Sequence, residues 1–411
     1  MKYFKNTELA ELYNVSEKTV RNWIQAAYRG NLDLELYDKG NAFHIADTAQ
    51  NTFLIEQLVK KGKKYKNTRG KKAVTPASEF YDTYSLSEIY DIISHIDIHR
   101  EIPHKYSYYA EGAKAWDEYV QKQVSDPFPG ALTYTINLLE LSSTYLDKLL
   151  DGYTGVNVVD LGVGNAYPVQ NLLRHLLDKN LLHRYVAVDA SQDMIDIAHE
   201  NIEKWFGDSV PFEKHLLDIN YDKFSHLLAS DSFTPKNTSI LNFVLFLGGT
   251  IVNLRDPDLA LRNIYNSLGK DDIFVISRKL DTPQARRFFD FHTPVPEKGE
   301  LSDQERVIPD LLGIDESFYT VEQFFDKGLT QRTIQMRLKV DLSITFKLED
   351  RYRVLDLHKG EAVLVWRAYH HDLLHAIDQL SRNGLETIQA TKTTDQQYAQ
   401  LITKIRPKIS D

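Results

Sequence analysis

The sequence contains no cysteine among its 411 residues. This absence excludes disulfide bonds, thiolate metal sites, iron–sulfur clusters and thiol nucleophiles, and it fits a reducing compartment. It also excludes C5-methylation of cytosine, because that reaction needs a cysteine that adds to the base. No apolar run approaches the roughly 18–20 residues of a membrane span, and the first residues lack the apolar core of a signal peptide. We therefore expect a cytoplasmic protein with no membrane partner.

Charge is unevenly distributed along the chain. The net charge is −9, yet residues 1–75 carry 14 Lys and Arg against 8 Asp and Glu, which leaves a balance of +6 there and −15 in the rest. A basic front end on an acidic body predicts an anionic partner for the front end alone.

Residues 156–189 read as a strand, a glycine turn, a helix and a second strand. Val156, Val158, Val159 and Leu161 form a short apolar, mostly β-branched run, which is typical of a strand buried on both faces of a parallel sheet. Gly162 and Gly164 lack Cβ atoms, so the backbone can approach a ligand closely there. Apolar residues then recur at helical spacing from Val169. The second strand ends at Asp189, which is placed to accept both ribose hydroxyls of an adenosine cofactor.

The spacing around the turn favours S-adenosylmethionine over a dinucleotide. A dinucleotide fingerprint needs a third glycine where Ala166 and Tyr167 stand. The pattern D-L-G-x-G instead suits a methionyl group, which needs amide donors and no pyrophosphate cradle. Asp218, at the end of a third strand, is placed near the adenine amine, and a fourth strand runs from Ser239 to Leu245. A doubly wound sheet without a ligand is the alternative. The predicted cofactor residues are Asp160, Gly162, Val163, Gly164, Asn165, Asp189, Ala190, Asp218, Ile219 and Phe246.

Residues 6–28 predict two short helices joined by a tight turn at Asn14. Asn6 or Thr7 can cap the first helix and Ser16 the second. The residues expected to pack inward are Leu9, Ala10, Leu12, Val15, Val20, Trp23 and Ile24. The residues left outside near the start of the second helix, where base edges and phosphates are contacted, are Lys18, Thr19, Arg21 and Asn22.

A predicted hairpin over residues 34–45 follows, as a wing would. The stretch ELAELYNVSEKTVRNWI with this hairpin resembles the winged helix-turn-helix of the MerR and excisionase type. The resemblance implies DNA binding, with a homodimer as the functional reader; a structural or protein-binding role is the alternative. The lysine-rich segment 58–73 reads as a linker that either tethers or follows a phosphate backbone, so DNA contact is expected within residues 1–72.

The rest of the chain predicts an α/β body. Residues 80–150 are helical and aromatic and suit a lid over the cofactor. After the fourth strand come a helix over 256–268, a strand over 272–278, an insertion over 282–327, strands over 333–340 and 362–366, and a final helix that stops at Gly384 before a strand. The predicted division is 1–57 winged helix-turn-helix, 58–77 linker, 78–150 lid, 151–280 cofactor core, 281–369 substrate domain and 370–411 completion of the core.

Five motifs in the order of one family carry a further resemblance. They are KYSYYAEGAKAWDEY, the pair VVDLGVGN and VAVDAS, FLGGTIVNL, RTIQMRL, and HKGEAVLVW. With them, residues 78–406 resemble the histidine-specific methyltransferases, S-adenosylmethionine enzymes that trimethylate the α-amino group of histidine. The resemblance implies a Rossmann-like class I methyltransferase fold with an added substrate domain, here preceded by the small winged helix-turn-helix.

The family's substrate residues carry over only in part. Tyr108 matches a substrate tyrosine, and Asn253 matches the asparagine that holds the amino-acid end. Phe128 stands in place of a second tyrosine, and Trp366 and Ala368 stand in place of the glutamate and serine that grip the imidazole. The family's tyrosine after the fifth strand has no clear counterpart in residues 279–282. Each lost polar partner costs about 1–3 kcal/mol, so histidine is not expected as the substrate.

Three functions fit these features. The first is methylation of a small, apolar or aromatic amine or amino acid, with the basic front end regulating or localising the enzyme. Tyr108 would position the amine or accept its proton, unless it is only a packed wall residue. The second is a DNA-binding regulator that senses S-adenosylmethionine or a metabolite without turnover. The third, nucleic-acid methylation, is disfavoured because Phe-Leu-Gly-Gly at 246–249 replaces the usual base-holding residues. The histidines show no metal-ligand spacing, and no metal is expected.

Overall fold

The computed structural model describes residues 3–13, 15–40, 43–60, 71–126, 130–228, 239–282, 297–326, 328–349 and 351–406. Its helices are α1 Asn6–Leu12, α2 Glu17–Tyr28, α3 Ala49–Lys60, α4 Ser78–Thr83, α5 Leu86–His99, α6 Glu111–Ser125, α7 Ala131–Leu150, α8 Gln170–Asp178, α9 Gln192–Phe206, α10 Ser225–Leu228, α11 Thr250–Asn253, α12 Pro257–Ser267, α13 Asp303–Leu311 and α14 Leu373–Arg382. Its strands are β1 Tyr3–Phe4, β2 Leu36–Asp38, β3 Phe43–Ala46, β4 Lys72–Val74, β5 Gly155–Leu161, β6 Leu182–Asp189, β7 Phe212–Leu216, β8 Ile240–Phe246, β9 Ile273–Lys279, β10 Glu297–Gly299, β11 Tyr319–Asp326, β12 Gln331–Leu338, β13 Leu342–Leu348, β14 Arg351–Leu357, β15 Ala362–Tyr369, β16 Leu385–Lys392 and β17 Tyr398–Ile405.

The contacts divide the chain into two units. Unit 1 comprises Met1–Ile102, Ile308–Val321 and Gln335–Val363, and unit 2 comprises Pro103–Val307, Glu322–Ile334 and Leu364–Asp411. The segment predicted as one lid, 78–150, therefore divides after Ile102. The six-part division drawn from the sequence stays a prediction.

In unit 1, helices α1 to α3 pack with a three-stranded sheet of order β1-β3-β2. The Ser16 cap is confirmed, because its Oγ accepts the Thr19 N–H at 3.1 Å. The cap predicted for α1 is wrong, since Lys5 precedes the helix and its N–H is bound by the Glu8 carboxylate at 2.9 Å. Leu12, which the spacing predicts to be buried, is the last residue of α1 and is 64% exposed, whereas Leu9 is fully buried. The predicted turn residue Asn14 lies outside the described residues.

Unit 1 also contains structure where the sequence predicted a linker. Helix α3 extends to Lys60, and β4 pairs in parallel with β13, which pairs antiparallel with β14. Phe53 of α3 lies 6.4 Å from Tyr352 of β14, measured between ring centroids. A short strand that pairs with a sequence-distant one gives no periodic signal, which is why composition alone predicted a tether there. Residues 61–70 lie outside the described ranges.

Unit 2 is built on a seven-stranded sheet of order β16-β17-β9-β8-β5-β6-β7. Strands β5 to β9 run in parallel, whereas β17 is antiparallel to both β9 and β16. The central strand β5 is fully buried. Its side chains alternate between two hydrophobic clusters, with Val156 and Val158 in one and Val159 and Leu161 in the other. A strand buried on both faces reads as a continuous apolar run, so the Rossmann-like class I prediction is confirmed.

The remaining strands form a four-stranded sheet of order β10-β11-β12-β15. The strands predicted over 333–340 and 362–366 are found at Gln331–Leu338 and Ala362–Tyr369. The helix stop at Gly384 is also confirmed: α14 ends at Arg382, and Gly384 has a φ of +83°. No helix in the described ranges is both long and apolar enough to span a membrane.

Candidate active site

The glycine turn follows β5 directly and forms the floor of the site. Gly162 and Gly164 have φ values of +66° and +54°, which side-chain-bearing residues rarely adopt. A Cβ at Gly162 would lie 3.6 Å from the Thr250 hydroxyl, and one at Gly164 would lie 3.6 Å from the indole nitrogen of Trp116. The turn therefore presents bare backbone to the space above it.

The amide groups of the turn are not free, which corrects one expectation. The N–H groups of Gly162 and Val163 donate to the Val188 carbonyl at 2.8 and 3.1 Å. The Gly164 N–H donates to the Asp189 carboxylate at 3.3 Å. These bonds fix the turn to β6, so the turn acts through its shape rather than by offering amide donors to a methionyl group.

Asp189 ends β6 where the sequence placed it. One carboxylate oxygen accepts the Ser191 N–H at 3.0 Å and the other accepts the Gly164 N–H. Burial raises the pKa of Asp189 to about 6, and the nearby Asp218 carboxylate adds to the rise. The Ala190 N–H is a third backbone partner of this carboxylate, so of its roughly four acceptor sites one is left for a ribose hydroxyl.

Asp160 ends β5 beside Asp189 and is 4% exposed. The Tyr185 hydroxyl donates to its carboxylate at 2.9 Å. Burial raises the pKa of Asp160 to about 7, and the Asp189 charge contributes. Two buried carboxylates close together favour a ligand that carries positive charge.

Residues 104–110, called the strap here, lie over the ends of β6 and β7. The Tyr109 hydroxyl donates to the Ala190 carbonyl at 2.7 Å, and the Ser191 hydroxyl donates to the Tyr108 carbonyl at 2.6 Å. The Ala110 N–H donates to the Asp193 carboxylate at 2.8 Å. Ala110 has a φ of +47°, a strained conformation for a residue with a Cβ. The strap is thus held tightly against the cofactor edge of the sheet.

Lys105 of the strap pairs with the acid predicted to meet the adenine amine. Its ammonium lies 2.9 Å from the Asp218 carboxylate and sits over the rings of Tyr106 and Tyr221. The other Asp218 oxygen accepts the Asn220 N–H at 3.0 Å. An adenine amine would therefore compete with Lys105 for Asp218. The sequence prediction missed Lys105, because a short irregular segment carries no periodic signal.

Tyr108 lies on the strap with its hydroxyl 3.2 Å from Nε2 of His104. Burial raises the pKa of Tyr108 to about 12; a hydrogen bond with Gln304 lowers this pKa, and the Asp189 and Glu305 charges raise it. Burial also lowers the pKa of His104 to about 4, so its ring is neutral. At neutral pH Tyr108 keeps its proton, which favours the positioning role over proton acceptance as a tyrosinate.

The predicted acceptor residues are spread over several elements of unit 2. Asn253 ends the short helix α11 and is partly buried. Trp366 and Ala368 lie on one face of β15; Ala368 is 6% exposed within the core, and the Arg332 guanidinium lies 5.6 Å from the Trp366 ring centroid. Phe128 lies outside the described residues.

Four of the predicted cofactor residues have buried side chains and support the site from below its surface. Val163, Ile219 and Phe246 are at most 8% exposed. The Asn165 side chain donates to the Asp117 carboxylate at 2.8 Å and is 2% exposed. Helix α6, which carries Asp117 and Trp116, therefore supports the turn, and the sequence prediction missed both residues. Among the described residues, no cluster of His, Asp and Glu could hold a metal ion.

Comparison with known families identifies the family to which this chain belongs. The family model described as "Histidine-specific methyltransferase, SAM-dependent" matches residues 88–405, well over half of the chain. The chain belongs to this family. It is a methyltransferase, and its cofactor is S-adenosylmethionine. The glycine turn, Asp189 and Asp218 lie at the edge of the sheet where the sequence analysis predicts that this cofactor binds.

S-adenosylmethionine fits the residues present. Asp189 has an acceptor site left for a ribose hydroxyl, Asp218 has a carboxylate for the adenine amine, and Asp160 adds negative charge near a cationic ligand. The Cβ-free surfaces of Gly162 and Gly164 leave room for close approach. The assignment of each residue stays a prediction.

Solved structures show only distant likeness. The CcbJ methyltransferase from Streptomyces caelestis is 13% identical, with 69% of this chain and 96% of that chain covered and a TM-score of 0.38. An S-adenosylmethionine-dependent methyltransferase from Clostridium acetobutylicum is 13% identical, covering 79% and 100%, with a TM-score of 0.35. The sugar N-methyltransferase KedS8 from Streptoalloteichus is 12% identical, covering 71% and 93%, with a TM-score of 0.34. At these scores the likeness carries no argument. A comparison with curated proteins finds no match.

Proposed function

We propose that this methyltransferase acts on the amino group of a small molecule or an amino acid other than histidine. The observation that carries the proposal is Tyr108, a neutral buried hydroxyl held on the strap beside Asp189. A neutral phenol accepts a hydrogen bond from an amine N–H and leaves the nitrogen lone pair free to point elsewhere. Such a group orients an amine nucleophile without consuming its lone pair.

Methyl transfer requires little of the protein beyond alignment of the amine with the methyl group. Bound S-adenosylmethionine supplies a methyl group already activated by a sulfonium. The chain's residues must orient the neutral amine in line with that methyl group and exclude water. Tyr108 holds the amine by its N–H, and the hydrogen bond to His104 fixes the Tyr108 hydroxyl. The amine proton leaves to water after methyl transfer, because Tyr108 already carries its own proton at neutral pH and the pKa of His104, about 4, is too low for its ring to accept one.

The acceptor side supports a substrate other than histidine. Trp366 and Ala368 offer neither a carboxylate nor a hydroxyl where the family resemblance places an imidazole-binding pair. The Arg332 guanidinium over the Trp366 ring adds positive charge there, which disfavours an imidazolium. An imidazole nitrogen buried there without a hydrogen-bond partner would cost about 1–3 kcal/mol.

The direct test is transfer of a labelled methyl group from S-adenosylmethionine to the small-molecule fraction of a cell extract, with histidine assayed separately. We expect label in an amine and none in histidine, and mass spectrometry should locate the methyl group on nitrogen. Asp189→Ala is the control that should lose cofactor binding and labelling together. Label on oxygen, or on histidine, would contradict the proposal.

Residues 1–72 support a second proposal, that the enzyme is fused to a DNA-binding segment. Lys18, Arg21 and Asn22 are exposed near the start of α2, whereas Thr19 is partly buried and its hydroxyl lies 2.9 Å from that of Ser16. Arg21 also pairs with Glu17 at 3.0 Å. Two exposed cations and an amide at a helix start suit phosphate and base contacts, and a homodimer would supply two such helices.

Binding to a pool of random-sequence DNA duplexes, measured over a salt series, tests this second proposal. Removing Lys18 and Arg21 together should lower the slope of log K against log salt by about 2, because each phosphate contact contributes about 0.9. Lys270→Ala, an exposed cation of unit 2, is the matched control. Unchanged binding in the Lys18 and Arg21 variant would exclude this interface. DNA binding that depends on S-adenosylmethionine, with no labelled product, would favour the alternative of a regulator without turnover.

A further inference from the structure

A cavity in unit 2 lies away from the glycine turn and has no part in the proposed reaction. It has a volume of about 220 Å³ and lies between α7 and α8 above strands β5 and β8. Its floor is apolar and includes Leu139, Leu146, Val156, Leu172 and Phe243. The slot is open at its rim, where Glu140 and Asn171 are exposed, and a surface slot with a floor of large apolar side chains is a candidate ligand site.

Polar bridges keep the two helices apart over this floor. Asn171 of α8 donates to the Glu140 carboxylate of α7 at 3.1 Å. Two turns along α7, the Asp147 carboxylate lies 2.8 Å from the His175 ring and 2.7 Å from the Lys179 ammonium. These polar contacts lie at two points along the slot, and between them the side chains of α7 and α8 leave the apolar floor uncovered. The helix spacing is therefore set by polar contacts rather than by collapse of the leucine side chains.

The size and charge of the cavity define its ligand class. A dry apolar cavity of about 150 Å³ holds benzene, so 220 Å³ accommodates a ring with a short side chain. Asp147 is already paired with Lys179 and His175, whereas the Glu140 carboxylate bonds a neutral amide, that of Asn171, and keeps its charge for a ligand. That charge favours a ligand whose head is cationic or a hydrogen-bond donor and disfavours an anionic head.

We infer that the space between α7 and α8 is a binding site for a small arylalkyl amine, separate from the methyl-acceptor site. The ring lies on the leucine floor, and the ammonium lies at the Glu140 carboxylate, at the end of the slot away from Asp147. Helix α8 begins six residues beyond Gly164, after the turn at Tyr167–Val169. A ligand that contacts Pro168 and Leu172 therefore contacts the segment that connects the glycine turn to α8. The inference does not depend on which acceptor is methylated.

Calorimetric titration of the full chain with 2-phenylethylamine, 2-phenylethanol and phenylacetate tests the site. We expect the amine to bind at least about tenfold more tightly than phenylacetate, with the alcohol between them. Leu139→Trp should fill the cavity and weaken amine binding at least about tenfold. Leu141→Trp is the matched control, because Leu141 lies on the same helix and is 53% exposed.

Three outcomes would overturn the inference: no binding of any probe, tightest binding of phenylacetate, or amine binding that Leu139→Trp leaves unchanged. The last outcome would locate the amine elsewhere, for example at the acceptor site, so failure here is distinct from failure of the proposed function. Leu172→Phe fills the same cavity from α8, and its effect on amine binding is the second test if Leu139→Trp does not fold. S-adenosylmethionine binding by each variant reports that unit 2 is intact.

Discussion

The cofactor half and the acceptor half of the candidate site differ in how closely they follow the family pattern. At the cofactor half, the two glycines, Asp189 and Asp218 all stand where the fold needs them, and main-chain and side-chain bonds hold each in place. At the acceptor half, Trp366 and Ala368 replace polar residues. From this difference we propose that methyl-donor binding and acceptor choice are separable in this fold, because the residues assigned to each lie on different strands.

Loss of the ribose acceptor should have the largest effect. Asp189→Ala removes a ribose hydrogen bond to a charged group, worth about 1.5–3 kcal/mol, and also releases the Gly164 and Ser191 N–H groups that this carboxylate holds. We expect the dissociation constant of S-adenosylmethionine to rise at least about 100-fold, as measured by calorimetry. Asp196→Ala removes a carboxylate of α9 that is half exposed and pairs with Lys214, and it should change little. Similar losses in both variants would mean that Asp189 does not hold the ribose.

Cofactor affinity should depend on pH through the same acids. Burial raises the pKa of Asp189 to about 6 and that of Asp160 to about 7, both above the usual value, so the cofactor-free folded state binds protons more readily than the unfolded chain. Its stability therefore falls as pH rises through this range. A cationic cofactor favours the ionised carboxylates, so affinity should rise from pH 5 to pH 7.5 with proton release.

Calorimetry in two buffers of different ionisation enthalpy would measure that proton release. Asp160→Asn should remove the part of the pH dependence near pH 7 and leave the part near pH 6. A pH-independent affinity would show that these carboxylates are already ionised without the cofactor.

A smaller effect is expected at the adenine end. Lys105→Met removes the ammonium that occupies Asp218, and partly exposed ion pairs contribute about 0–1 kcal/mol. We expect S-adenosylmethionine to bind up to about fivefold more tightly, because the adenine amine no longer competes with Lys105. Lys214→Met breaks an ion pair on the same side of the sheet and serves as the control. Weaker binding would instead mean that Lys105 holds the strap in its productive position.

The smallest effect should come from restoring the family residues at the acceptor half. Trp366→Glu with Ala368→Ser should give weak but measurable histidine binding, because a carboxylate and a hydroxyl return to the positions that match the imidazole pair. Trp366→Gln with Ala368→Ser lacks the charge and should bind less. Saturation-transfer NMR with histidine would detect the difference. No binding by either variant would show that acceptor choice lies outside β15.

The sequence predicted the sheet well because its cues are local. A continuous apolar run, a glycine turn and an acid at the strand end are each visible within ten residues, and β5, Gly162 and Asp189 are found as predicted. The strap contacts were not predictable, because Lys105 and Asp218 are 113 positions apart in the chain. The exposure of Leu12 depended on which face of a short helix meets the sheet, and a seven-residue helix defines that face poorly.

The pairing of β4 with β13 has a consequence for synthesis of the chain. Lys72 lies opposite Leu342, so 270 residues separate the partners. At translation rates of about 5–20 residues per second, roughly 15–55 seconds pass between emergence of the first strand and of its partner. The N-terminal helices can form during that interval, yet the edge of β4 stays open until the second strand arrives. A chain truncated before residue 342 would leave that edge without the strand that covers it.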